Sequence, residues 1–235
     1  MLFYIVDLEA QRLYNTDKKG MRTLPDFRML DMDSYPRREH FEYFRGMRYP
    51  YVGTTVEVDI TQFATAVHDG RLPFFLSFLY LVSTAANAVP EFRQRILDGG
   101  IAEYDSCPTS HTLSLPDGTY CYCTLESGMA FDKFIPYAME RQDVSRSARS
   151  LDDGEDGLPL IFVSTVPWIS YTALTQPVPE PADSNPRITW GKYFTRDDRI
   201  FMPVTVLCNH ALVDGLQIAK FYSLLERQIA GFGNK

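Results

Sequence analysis

The stretch Cys208-Asn209-His210-Ala211-Leu212-Val213-Asp214-Gly215 holds the residue types that a proton transfer needs. One imidazole stands at the joint between an apolar run and an amphipathic one, and an Asp-Gly pair closes the turn. Histidine titrates near neutral pH, so a ring fixed at a sheet edge suits a general base meeting a substrate hydroxyl. A plainer reading fits the same residues. Asp214 is then an ordinary helix N-cap, Gly215 eases the turn, and His210 is a strand-end histidine that bonds a carbonyl. The motif alone leaves both readings open.

The elements that would position this histidine are legible on either side. Arg199 to Leu207 is largely apolar and β-branched and reads as a buried strand. Leu216, Ile218, Ala219, Tyr222, Leu225 and Ile229 recur at helical spacing, which predicts a helix from Gly215 to about Ala230. Arg187 to Thr195 is expected to pair with Arg199 to Leu207 as a hairpin across Arg196-Asp197-Asp198, after a proline-rich loop over 176–186. Pro159 to Thr165 is an apolar strand, which Trp168 to Thr172 is expected to continue, with Trp168 in the core.

Farther upstream, Asp98-Gly99-Gly100 and Pro116-Asp117-Gly118 predict two hairpins, pairing 92–96 with 101–104 and 111–115 with 119–125. Thr54 to Asp59 alternates like a strand, and Ile60 to His68 follows as a helix. Phe74 to Ala88 and Phe131 to Arg146 read as helices, and Arg37 to Arg45 as a short one behind Pro36. A short strand at Phe3–Asp7 falls in a segment, 1–34, that reads as peripheral. Helices and short strands interleave without βαβ alternation. The fold class is therefore α+β: a large mixed, mostly antiparallel sheet with helices packed on one face, as a two-layer sandwich. One domain over 1–235 is expected.

Composition narrows the function. A chain that is 45% hydrophobic and 23% charged is too apolar for intrinsic disorder. The net charge of −7, with no dense basic stripe, argues against a nucleic-acid partner. Lys192, Arg196 and Arg199 still offer a local rim for an anionic cofactor. The four cysteines form no C-x-x-C pair, and Cys121-Tyr122-Cys123 is expected to set its thiols on opposite faces of a strand. No metal site follows, and reduced thiols fit a cytosolic protein. The apolar run from Leu72 to Val89 contains Pro73, Ser77, Ser83, Thr84 and Asn87, so it reads as a buried helix and no membrane partner is expected. No signal peptide is evident at the Met1 end. The protein is read as soluble and cytoplasmic.

Five strings occur in an order that resembles the chloramphenicol acetyltransferases. They are Arg37-Arg38-Glu39-His40-Phe41-Glu42, Phe92-Arg93 with Arg95-Ile96, Phe162-Val163-Ser164 followed by Pro167-Trp168, Gly191-Lys192-Tyr193, and His210 to Gly215. The resemblance implies acetyl transfer from acetyl-CoA to the hydroxyl of a small-molecule acceptor, without a metal or a covalent enzyme intermediate. His210 matches the general base. Ser164 matches the serine that bonds the tetrahedral oxyanion, and Thr189 a threonine acting on that intermediate through water. Asp214 matches a structural aspartate paired with an arginine, here Arg37. Lys192 and Tyr193 fall where the family contacts the coenzyme. A homotrimer with interfacial active sites is implied. Outside the resemblance, Ser164 reads as a strand serine bonding its own backbone, Thr189 as a strand former and Arg37 as a solvated charge. Two positions depart from the family pattern: Asn209 where a second histidine is usual, and Phe44 where a hydroxyl-bearing ring is expected.

Overall fold

A computed structural model describes residues 26–151 and 157–233; the expected strand at Phe3–Asp7 and most of the acidic loop at 152–157 lie outside them. Strand β1 (Phe27–Met29) leads to helix α1 (Arg38–Arg45), strand β2 (Tyr51–Asp59) and helices α2 (Thr61–Asp69) and α3 (Phe74–Asn87). A 3-10 turn at Pro90–Arg93 opens onto β3 (Gln94–Leu97) and β4 (Gly100–Tyr104), followed by β5 (Thr109–Ser114), β6 (Tyr120–Leu125) and α4 (Phe131–Ala148). Then come β7 (Ile161–Val166), β8 (Arg187–Gly191), β9 (Phe194–Arg196), β10 (Arg199–Asn209) and α5 (Gly215–Gly231).

Strand β10 is the hub of the main sheet, which runs β2-β10-β8-β7-β5-β6 with β9 also on β10. Pairing is antiparallel except that β7 lies parallel to both β5 and β8. Parallel neighbours cannot be joined by a tight turn. That is why α4 separates β5 from β7, and why the long segment 167–186 separates β7 from β8. The α+β class with a mixed, mostly antiparallel sheet is the one observed.

The two faces of the sheet are chemically distinct. On one, Trp190 of β8 packs against Phe75 and Phe78 of α3, with ring centroids 5.6 and 5.0 Å apart. Tyr222 of α5 lies over the same side and donates its hydroxyl to the carbonyls of Val204 and Thr54 at 2.8 and 3.1 Å. Burying such aromatic side chains contributes roughly 2–3 kcal/mol each. On the other face, the register aligns Ser164, Thr189, Thr205 and Thr55 in one rung across β7, β8, β10 and β2. Residues directly opposite in a sheet share a face. Four hydroxyls therefore line up on the side turned away from the helices.

A small second sheet, β1-β4-β3, is tied to β7 by Arg95. This guanidinium is fully buried and donates to the carbonyls of Phe92 and Leu160 at 2.9 Å and of Leu158 at 2.6 Å. The Arg95-Ile96 string thus has a structural task.

Several expectations change. Residues 92 and 93 belong to the turn opened by Pro90, so the first hairpin strand begins at Gln94. Trp168 to Thr172 does not extend β7, and Trp168 is 75% exposed rather than in the core. The strand expected over 187–195 is broken at Lys192-Tyr193 into β8 and β9. Arg196 pairs with Arg199, so the turn is the two residues Asp197 and Asp198, with φ of 50° and 60°; both central residues of the favoured hairpin turn need positive φ. Cys121 and Cys123 both point inward, because alternate residues of a strand share a face, and opposite placement was mistaken. Within the segment read as peripheral, Phe27–Met29 form an edge strand on β4. Among the described residues no helix is long and apolar enough to cross a membrane.

Candidate active site

His210 follows the last residue of β10 and is held from three directions. Its backbone N–H donates to the Pro50 carbonyl at 2.7 Å. Its ring stacks on Phe44 of α1 with centroids 3.9 Å apart and planes 22° apart. Its Nδ1 lies 2.9 Å from the Val213 carbonyl. A carbonyl only accepts, so Nδ1 carries the hydrogen and the neutral ring presents its lone pair at Nε2. The histidine does bond a carbonyl, as the plainer reading had it. That bond is also what leaves the other nitrogen able to take a proton.

The turn beneath the ring is tied to α1 and α5. Arg37 donates to the Leu212 carbonyl and stands 3.3 Å from the Asp214 carboxylate. The Arg37 side chain is mostly buried, so it is not a solvated charge. Asp214 caps α5 by accepting from Leu216 N–H at 2.9 Å, and its own N–H donates to Gln217 Oε1 at 3.1 Å. Asn209 adds an anchor that the sequence did not disclose. Its Nδ2 donates to the Asp183 carbonyl at 2.9 Å while its Oδ1 accepts from Ala211 N–H at 3.0 Å. Asp183 in turn holds Arg187 through two bonds of 2.8 and 2.7 Å and accepts from the Tyr51 hydroxyl at 3.0 Å.

Ser164 and Thr189 sit side by side on the hydroxyl rung. Ser164 is half-buried and has no hydrogen-bond partner among the described residues, so it does not bond its own backbone. Thr189 is 1% exposed, and its hydroxyl donates to Gln176 Oε1 at 3.0 Å. Tyr171 closes over the same rung: its hydroxyl donates to the Thr189 carbonyl at 3.0 Å and accepts from Thr205 at 3.3 Å. Gly191 permits this closure, since a Cβ there would sit 2.8 Å from the Tyr171 ring and 2.9 Å from the Ile169 carbonyl.

Within one chain these two groups are apart. His210 lies five residues along β10 from Thr205, and Ser164 lies two strands aside from Thr205. At about 3.4 Å per residue and 4.8 Å per strand, the separation is on the order of 20 Å. The structure brings His210, Asp214 and Arg37 together, and Ser164 with Thr189, but not the first set with the second.

Lys192 and Tyr193 lie in the break between β8 and β9. Lys192 is exposed, and the half-exposed Tyr193 ring lies 5.7 Å from Phe74. The expected basic rim is reduced, because Arg196 pairs with Glu57 at 2.8 Å and Arg199 with Asp59. Lys192 alone of the three has no carboxylate partner among the described residues. Cys208 is buried two residues before His210, and desolvation pushes its thiol up to about 12, which removes it as a nucleophile at neutral pH. Among the described residues no three His, Cys, Asp or Glu side chains gather as metal ligands would.

The family model described as "Chloramphenicol acetyltransferase" matches residues 25–226. Chloramphenicol acetyltransferases of Klebsiella sp and Streptomyces acrimycini are each 28% identical to this chain, covering 88% and 86% of it and 95% and 93% of their own length. A solved chloramphenicol acetyltransferase superposes with a TM-score of 0.76 at 25% identity, over 87% of this chain and all of its own. The cubic core of the pyruvate dehydrogenase multienzyme complex superposes at 0.61 with 18% identity over 81% of this chain and 85% of its own, a likeness of fold alone. Fold and relatives together define an acyltransferase. The chain belongs to the chloramphenicol acetyltransferase family.

Proposed function

We propose that the protein transfers the acetyl group of acetyl-CoA to a hydroxyl of a small molecule, with chloramphenicol the first acceptor to try. The observation that carries this reading is the His210 tautomer, its Nδ1 tied to Val213 and its Nε2 free to receive a proton. As the acceptor oxygen attacks the thioester carbon, its hydrogen passes to Nε2. The thioester oxygen becomes an oxyanion and accepts a hydrogen bond from the unpartnered Ser164 hydroxyl. Collapse breaks the carbon–sulfur bond, and the imidazolium returns the proton to the departing thiolate. Thr189 acts on the same intermediate through water. Asp214 and Arg37 hold the turn, and Lys192 with Tyr193 contact the coenzyme.

The roughly 20 Å between base and serine supports a site completed by a second chain. Exposed apolar residues support the same reading. Tyr43, 67% exposed, and Tyr49 lie beside the elements that carry the base, whereas Trp168 and Ile169 lie beyond Ser164. Two different patches at two ends suit a head-to-tail ring, hence a homotrimer. One buried cluster runs from Phe41 to Ile229, with Phe27, Leu30 and Met32 packed against it, which supports a single catalytic domain. Four free, buried thiols suit the cytoplasm.

A thiol-release assay with acetyl-CoA tests the reading. Release that requires chloramphenicol supports it, and release only with other alcohols keeps the chemistry and changes the acceptor. Silence across a broad alcohol panel contradicts it and leaves a small-molecule binder.

A further inference from the structure

We infer that Gln176 selects the acceptor: its side-chain amide donates a hydrogen bond to an oxygen of the substrate other than the hydroxyl that is acetylated. The inference rests on the functional reading above, which sets Ser164 and Thr189 at the reacting centre. Gln176 Oε1 accepts the Thr189 hydroxyl at 3.0 Å, which fixes the amide against that threonine. The other end of the amide, Nε2, is buried and has no hydrogen-bond partner among the described residues. An amide N–H withdrawn from water and left unpaired is costly, so a buried orphan donor marks a place where something else supplies the acceptor.

The surroundings make this donor rigid. Pro177 follows Gln176 and restricts its backbone to extended conformations. Tyr171, five residues earlier, is pinned to the rung by its bonds to Thr189 and Thr205. Ser164 is the neighbour of Thr189 on the next strand, about 5 Å away across the rung. A molecule whose hydroxyl is poised near Ser164 therefore passes within reach of Nε2. The group it must present there is a hydrogen-bond acceptor: an amide or ester carbonyl, an ether, or a nitro or sulfonyl oxygen. A purely hydrocarbon alcohol leaves the amide unpaired and is rejected.

The test uses the full-length protein, acetyl-CoA and size-matched primary alcohols that carry or lack an amide carbonyl, with Gln176→Met as a near-isosteric variant that cannot donate. The wild type is expected to favour the carbonyl-bearing alcohols by about 10- to 100-fold in kcat/KM. Gln176→Met should bring that ratio to within about twofold of one while the KM for acetyl-CoA and the oligomer mass stay unchanged. Gln176→Glu, which keeps an oxygen for Thr189 but loses the donor, should lose the same discrimination. An unchanged ratio in an active Gln176→Met enzyme overturns the inference. So does a variant that loses only its assembly, since the amide then serves a neighbouring chain. A wild type that releases no thiol with any alcohol defeats the acetyltransferase reading itself, and the assignment of Gln176 with it.

Discussion

The Val213 carbonyl and the Phe44 ring together fix the His210 imidazole. They leave one nitrogen able to take a proton and one plane in which the ring lies. His210→Ala is expected to abolish thiol release while the circular dichroism spectrum and oligomer mass remain those of the wild type. Retained turnover would assign the proton to another group. Ser164→Ala should lower kcat by about 10²-fold with little change in KM, because in the proposed reaction its hydroxyl gains its partner only as the oxyanion forms. A change confined to KM would make Ser164 a substrate-binding residue. Arg37→Ala should cost about 1–3 kcal/mol in unfolding free energy, since the Leu212 carbonyl and Asp214 lose their partner. At this scale the resemblance made the Arg37–Asp214 pair and the unpaired Ser164 legible. Asn209 and Gln176 were not. Nothing in an amide's own sequence context says which distant carbonyl or hydroxyl it meets.

Among elements, turns were easier to read than loops, for a physical reason. Asp98-Gly99 and Asp197-Asp198 adopt positive φ, which Gly permits freely and Asp tolerates, a local property written in residue type. The segment 167–186 has no periodicity, and its course over the sheet depends on the missing side chain of Gly191, twenty residues away from some of its contacts. Its apolar start, Trp168-Ile169, imitates a strand because exposed and buried apolar residues look alike in sequence. Between β5 and α4 lies a titratable contact the mechanism does not use. His111 is buried, its Nε2 meets Gln142 at 3.1 Å, and the Phe75 ring covers it at 5.0 Å. Burial, with Arg146 nearby, holds its pKa down to about 4 from an ordinary 6.5. The unfolded chain therefore binds a proton across that window and the folded one does not, so stability falls as pH drops from 6.5 towards 4. The loss attributable to His111 is on the order of 3 kcal/mol. Thermal melts at pH 6.5 and pH 4 should differ more for the wild type than for His111→Gln. Equal differences would show that the buried ring takes no part in acid unfolding.

For the whole molecule, the strand register says what no motif does. The resemblance implies sites at subunit interfaces, but the spacing of His210 and Ser164 in sequence is silent on the distance between them. Pairing of Ser164 with Thr189, and of Thr189 with Thr205, fixes Ser164 at one end of the rung, two strands from β10, and His210 stands five residues farther along from Thr205. On the proposed reading a lone chain holds the parts of two half-sites. Light scattering should give a mass three times that of the chain, and dilution into monomers should abolish turnover reversibly.

Mixing two inactive variants tests this arrangement most directly. His210→Ala and Ser164→Ala chains, co-refolded in equal amounts, should regain about a quarter of the wild-type rate, because in a random ring one interface in four joins an intact histidine to an intact serine. A mixture no more active than its separate components would mean that base and serine act within one chain, contrary to the separation imposed by the sheet.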